Sequence, residues 1–277
     1  LNNLFYTNSI SGDTLTLREQ EAVHCALVLR KKVGDIIYVI DGKGNRYKCG
    51  IDKLSKRDVE CAILSTESQP KSEHITIAIA PTKNRDRLEW MIEKLVEIGV
   101  ERIILMHTSN TERTRTNLER LEKKAVSAVK QSLRFYIPEV VELDYTQVLQ
   151  LEADDKYIAH CYDEMEKGDP ERDRLDFDSA QSDSDSAQSD SDSAQSDSDS
   201  AQSDFDSAQS DSGSFQSDSG SAQFDSQTKQ LILIGPEGDF TTSEVQQAFD
   251  AGFQGLDLGE FRLRTETAAI VAVTRFQ

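Results

Sequence analysis

The amino-acid sequence predicts an α/β protein in two parts: a small β-barrel, then a larger domain built on a parallel sheet. Two observations carry this. The first 70 residues alternate short β-branched or aromatic runs with turn residues. From His74 onward, apolar strands alternate with helices of 3.6-residue periodicity, the pattern of a parallel sheet covered on both faces.

In the first part, residues 4–7, 14–17, 36–41, 46–51 and 59–64 read as strands, with Asp41-Gly42-Lys43-Gly44 as a turn. One helix interrupts them, with Val23, Ala26, Leu27 and Arg30 at helical spacing. Five strands and a helix suggest a barrel. Pro70 marks the boundary, giving domains 1–70 and 71–277. Beyond it, Ile75, Ile77 and Ile79 alternate along a strand, and Leu88, Met91, Ile92, Leu95 and Val96 form a helix face that ends at Gly99. Trp90, beside Met91, is expected in the core or in a dimer contact. Residues 103–106 form the next strand. Asn117 then caps a helix carrying Leu121, Ala125, Ala128, Val129 and Ser132, which Pro138 ends. Residues 157–161, 231–235 and 256–259 are further short strands, and a last helix starts near Thr267.

Between two of these strands lies an unusual tract. Residues 178–226 are seven consecutive seven-residue units, five of them reading DSAQSD(S/F). With almost no aliphatic residues the tract has nothing to bury, so it is expected to be a disordered insert. A longer closing loop adds only a logarithmic entropic penalty, so the domain can accommodate it. The tract holds 12 Asp and no Lys, Arg or Glu, so the rest of the chain carries −7 of the formal charge of −19. That remainder is still acidic, which excludes RNA binding through a global positive field and leaves only local basic patches.

Cys25, Cys49, Cys61 and Cys161 form no CxxC pair and read as free thiols of a reducing compartment. No charged-then-apolar leader or bilayer-length apolar run is present, and the expected location is the cytoplasm. The four histidines are scattered without ligand spacing, so no metal is expected.

Two stretches carry chemistry. In the first, the strand at 231–235 runs into Gly235-Pro236-Glu237-Gly238, and a helix opens with Thr241 and Glu244 at capping-box spacing. The glycines let a ligand approach the main chain, and helix-start amides can hold an anion. An ordinary strand–turn–helix corner would look the same. In the second, Leu258-Gly259 leads through Arg262 and Leu263-Arg264 to a helix start at Thr265-Glu266. Two guanidiniums in a tight loop suit phosphate or carboxylate recognition, though a solvated pair is the plainer alternative.

These motifs together resemble the RsmE-type methyltransferases of the SPOUT class. Gly235-Pro236-Glu237-Gly238, Leu258-Gly259 and Leu263-Arg264-Thr265-Glu266-Thr267-Ala268 match in order, as do Pro81-Thr82-Lys83-Asn84, Glu97-Ile98-Gly99, Thr111-Glu112-Arg113 and Lys130-Gln131-Ser132 with Arg134 and Pro138. Asp239 departs from the more familiar glycine, and Lys130 stands where a glutamate is common. The resemblance implies a PUA-like RNA-binding barrel and a SPOUT-type trefoil-knotted parallel-sheet domain. It also implies a homodimer with shared active sites, and S-adenosyl-L-methionine as donor for methylation of N3 of a uridine in small-subunit ribosomal RNA. The cofactor residues it implies are His160, Cys161, Ile234, Gly235, Pro236, Gly238, Leu258, Gly259, Leu263, Arg264 and Thr265. Arg113, Arg134 and Arg264 are the candidates for stabilising a developing uridine anion, with Glu266 as proton acceptor or arginine orienter. Arg30, Lys31, Lys32, Arg46, Lys48, Lys83 and Arg85 are the candidate RNA contacts. A SPOUT enzyme acting on another RNA such as transfer RNA, and a non-catalytic RNA-binding protein retaining the fold, remain the alternatives.

Overall fold

The computed structural model describes residues 4–72, 74–112, 115–161 and 228–277. Its first sheet holds β1 (Leu4–Tyr6), β2 (Ile10–Ser11), β3 (Thr14–Arg18), β4 (Ile36–Ile40), β5 (Asn45–Leu54) and β6 (Asp58–Ser68), in spatial order β1-β4-β5-β6-β3-β2. The Thr7 hydroxyl donates to the Thr16 carbonyl, and the Thr16 amide donates to the Ser9 carbonyl. These bonds bring the end of β1 to β3 and close the sheet into a barrel. Leu15 and Leu17, Ile37 and Val39, Cys49 and Ile51, and Val59 and Cys61 fill its interior with the period of two that pleating imposes. Cys25, Cys49 and Cys61 are free and belong to this core. Burial pushes the Cys49 and Cys61 thiols up to about 12 and raises Cys25 as well, so all three act as packing groups rather than nucleophiles.

The helix expected around Val23 is different. It is α1 (Glu19–Val23) running into one π-helical turn, His24–Val28, closed by the Leu29 amide on the His24 carbonyl. The wider turn rotates the face, so Ala22 and Cys25 are buried while Val23, Leu27 and Val28 are exposed. A 3.6-residue period selects the wrong side chains there.

The second sheet is wholly parallel, in order β12-β10-β11-β7-β8-β9. Its elements are β7 (Ile75–Ile79), α2 (Arg85–Ile98), β8 (Arg102–His107), α3 (Leu118–Ser132), β9 (Glu139–Asp144), α4 (Tyr145–Leu149), β10 (Asp155–Ala159), β11 (Gln230–Ile234), α5 (Thr242–Asp250), β12 (Gln254–Gly255) and α6 (Thr265–Thr274). Alternate residues feed two cores. Ile77, Ile103, Leu105, Ile232 and Ile234 pack with α2, α3 and α6, whereas Ala78, Ile104, Met106, Leu231 and Leu233 pack with α4 and α5. Both faces are covered, which is why these strands are buried along their length.

The helix ends follow local chemistry. Asn84 caps α2 by accepting from the Asp86 and Arg87 amides, and Gly99 ends it at φ +106°. Asn117 caps α3. That helix stops at Ser132, with Leu133 left-handed at φ +59°, rather than running on to Pro138. Residues 135–137 instead dock on the barrel. The Gly44 amide donates to the Phe135 carbonyl, the Ile137 amide to Gly42, and the Tyr136 hydroxyl to the Gln69 carbonyl. The Lys130–Glu21 ion pair reinforces this seam. Trp90 is 45 % exposed, so the core face of α2 belongs to Met91 and its periodic neighbours. The strand expected at 256–259 is shorter and earlier, because Leu256 makes the last rung to the Ile158 carbonyl before the chain leaves the sheet. The heptapeptide tract lies outside the described residues.

Candidate functional site

The chain order reverses about β7, whose neighbours are β8 on one side and β11 on the other. Open α/β sheets place ligands in the crevice beyond the carboxyl ends of strands at such a point. A cavity of about 460 Å3 lies at the carboxyl ends of β10 and β11, on one side of that point. Its walls are the end of β10 (Ala159, His160, Cys161), the loop after β11 (Ile234, Gly235, Pro236, Glu237, Asp239), and residues 256–265, with Ala268 of α6 behind them.

Hydrogen bonds fix these walls to one another. The Asp239 carboxylate accepts from the Cys161 amide at 2.9 Å and from the Phe240 amide at 2.8 Å. The buried Thr265 hydroxyl donates to the Gly235 carbonyl at 3.1 Å, holding the start of α6 against the loop. Arg262 reaches the Glu237 carbonyl, and the Lys83 amide, after β7, donates to the Glu237 carboxylate. Gly235 allows a close approach, since a Cβ there would meet the Phe240 ring at 3.0 Å and the ring would have to give by a few tenths of an ångström. Behind the loop, Glu244 anchors α5 by accepting from the Ser109 amide and from the Thr241 amide and hydroxyl. Burial opposes its charge, but these hydrogen bonds prevail and hold its carboxyl below the ordinary value.

The cavity brings together His160, Cys161, Ile234, Gly235, Pro236, Leu258, Gly259, Leu263, Arg264 and Thr265. Gly238 is not among its lining residues and packs beside Asn110. Glu266 is buried behind the wall, 3.8 Å from the Arg87 guanidinium. Arg134 sits elsewhere: its guanidinium packs over Gly99 and donates to the Glu97 and Ile98 carbonyls at the end of α2. Arg113 lies outside the described residues.

The basic candidates divide likewise. Arg30, Lys32 and Lys48 are exposed, and Lys31 is half-buried. Arg46 is committed to the protein, paired with Glu67 and lying over the Phe135 ring at 4.9 Å. Lys83 pairs with Glu112, and Arg85 with Glu89. Among the described residues, no group of three or more His, Cys, Asp or Glu side chains is placed to hold a metal ion, and no helix is long and apolar enough to cross a membrane.

Residues 69–186 and 195–277 match the family model for an RNA methyltransferase domain, and residues 17–64 match the model for an RNA methyltransferase PUA domain. The chain belongs to the RNA methyltransferase domain family. The family's "Ribosomal RNA small subunit methyltransferase E" of Bacillus subtilis is 24% identical over 94% of this chain and 88% of its own length. A crystal structure of a probable rRNA-methyltransferase from Porphyromonas gingivalis superposes with a TM-score of 0.73 at 33% identity, covering 98% of this chain and 95% of that one. The Neisseria gonorrhoeae ribosomal RNA small subunit methyltransferase E, solved bound to S-adenosyl methionine, gives 0.69 at 22% identity over 99% and 96%.

Within this RNA methyltransferase fold, sequence reasoning missed several lining residues, among them Asp239, Asp257, Glu260 and Phe261. Asp239 carried a signal, since a carboxylate replacing glycine after a turn invites the question of what it bonds. The others are ordinary loop residues until the loop is folded over the cavity.

Proposed function

We propose that this RNA methyltransferase transfers the methyl group of S-adenosyl-L-methionine to N3 of a uridine in small-subunit ribosomal RNA. The observation that carries the reading is the cavity at the strand ends. Its volume falls in the range of small-molecule sites. Ile234, Leu256, Leu258 and Leu263 offer an apolar slot for adenine, beside main chain exposed at Gly235 and Gly259. Glu237, Asp239, Asp257 and Glu260 outnumber Arg262 and Arg264 in the lining, which suits a cofactor bearing sulfonium and ammonium charges. Bound there, the donor supplies a methyl group already activated by its sulfonium charge. The chain's own part is chiefly orientation.

Arg264, exposed at the cavity, stabilises the anion that forms as uridine N3 loses its proton. Glu266 orients that helix start through Arg87. The reading includes the trefoil knot and a homodimer with shared active sites. In that arrangement Arg113 and Arg134 serve as further cations, Arg134 acting on the cavity of the other copy. Residues 1–70 read the RNA through exposed Arg30, Lys32 and Lys48 and half-buried Lys31, with Lys83 and Arg85 adding contacts from the catalytic domain. An enzyme with this substrate works in the cytoplasm.

Mass spectrometry of small-subunit RNA after incubation with the protein and isotope-labelled donor tests the reading. One 3-methyluridine is expected. A methyl group found only in transfer RNA, or no donor binding by calorimetry, overturns it.

A further inference from the structure

Seven phenylalanines lie among the described residues, and six are buried or half-buried. Phe261 is 78 % exposed and stands in the lining of the cavity. A ring this exposed forgoes the burial that the other six obtain, and here it does so beside a ligand site. Arg262 and Arg264 are its near neighbours in the same loop, and both side chains are exposed. Leu258 and Leu263 pack the ends of the loop against the core, and polar tethers hold the rest. Arg262 crosses to the Glu237 carbonyl, Asp257 accepts from the Gly259 amide, and Gly259 sits at φ +110° with open space around it.

We infer that Phe261 is the platform on which a base of the RNA substrate stacks as it enters the site. The inference rests on the RNA-methyltransferase reading above and deepens it by naming a residue that holds the nucleotide. An exposed aromatic face with a guanidinium on the same loop is the chemistry that holds a splayed-out nucleotide, the ring taking the base and the cation its phosphate. The donor is a poorer occupant for this ring. Leu256, Leu258 and Leu263, the first buried and the others half-buried, already form the apolar interior, whereas Phe261 faces solvent. Turning the target base out of the RNA requires a surface to receive it, and a stacking ring recovers part of the lost base stacking.

The test uses the full chain. Phe261→Ala and Phe261→Leu are expected to raise KM for RNA on the order of ten-fold, with kcat at saturating RNA and the donor Kd within about two-fold of wild type. Phe261→Trp restores the lower KM. With Trp90→Phe as background, the indole of Phe261→Trp becomes the sole tryptophan. Its fluorescence is expected to be quenched by oligouridine and not by donor. A Phe261→Leu enzyme indistinguishable from wild type, or an indole unaffected by oligouridine, overturns the inference. So does a loss confined to donor affinity, which would make the ring a cover for the donor. A change in sedimentation would instead make it a contact between copies and also overturns it. Failure of the functional reading looks different: wild-type protein then binds no donor and methylates no small-subunit RNA, while the oligouridine titration still reports on the ring.

Discussion

Replacing Asp239 by glycine tests whether the cavity wall is held by a single side chain. Asp239 sits at φ +64°, a left-handed conformation that disfavours L side chains by about 1–2 kcal/mol. It is retained with a carboxylate that accepts from two amides, Cys161 at 2.9 Å and Phe240 at 2.8 Å. Hydrogen bonds to a charged acceptor contribute about 1.5–3 kcal/mol each, and this half-buried group belongs at the low end. Losing roughly 3 kcal/mol of bonding against about 1 kcal/mol of relieved backbone strain leaves a local deficit near 2 kcal/mol. That deficit falls where β10 ends beside the cavity. Asp239→Gly should therefore weaken donor binding about 10- to 30-fold, and Asp239→Asn, which keeps an acceptor and the backbone, should weaken it less. Calorimetry with donor measures the first effect. Hydrogen exchange at the Cys161 amide measures the cause without reference to any ligand. Wild-type protection of that amide in Asp239→Gly would refute the reasoning.

Other perturbations follow from single contacts. Gly99→Ala places a Cβ within 2.4 Å of the Arg134 guanidinium, at a φ of +106° that L residues avoid; a loss of about 2–3 kcal/mol is expected by urea unfolding. Glu244→Gln removes one charged acceptor of the α5 cap and should destabilise by about 1–2 kcal/mol at neutral pH. Because the folded carboxyl titrates below its ordinary value, this contribution is complete above about pH 4.5 and is lost as pH falls through the folded value, so wild type and variant should converge in acid. Lys130 and Glu21 are each less than one-fifth exposed and join helix α3 to the barrel; a double-mutant cycle to alanine should give a coupling of about 1 kcal/mol, and zero coupling would exclude the pair as a seam contact. Deleting residues 178–226 should leave the melting temperature and donor affinity of the chain unchanged within error, and lost donor binding would assign the tract a role at the site.

Much of the fold was legible because periodicity and caps are local properties. Ile75, Ile77 and Ile79, the apolar face of α2, Gly99 and Asn117 each stand where the sequence puts them. Strand β9 and helix α4 were not legible. The first is an edge strand in which Val140 alone is fully buried, and the second is five residues long, too short to show a period. The π-helical turn escaped for a related reason, since one extra residue per turn shifts every later side chain around the axis.

The sequence by itself determined that a parallel α/β domain follows a small β domain, and it singled out the two glycine-bearing loops, after Ile234 and after Leu256, that border the cavity. Glycine, proline and capping residues act through the backbone within a few positions, so their meaning survives without the fold. Tertiary structure alone decided which polar residues line the cavity. Arg46 is spent on Glu67 and the Phe135 ring, while Arg264 and Phe261 stand at the cavity. Whether a cation is spent within the fold or stands at the cavity depends on partners far along the chain, which no local pattern records.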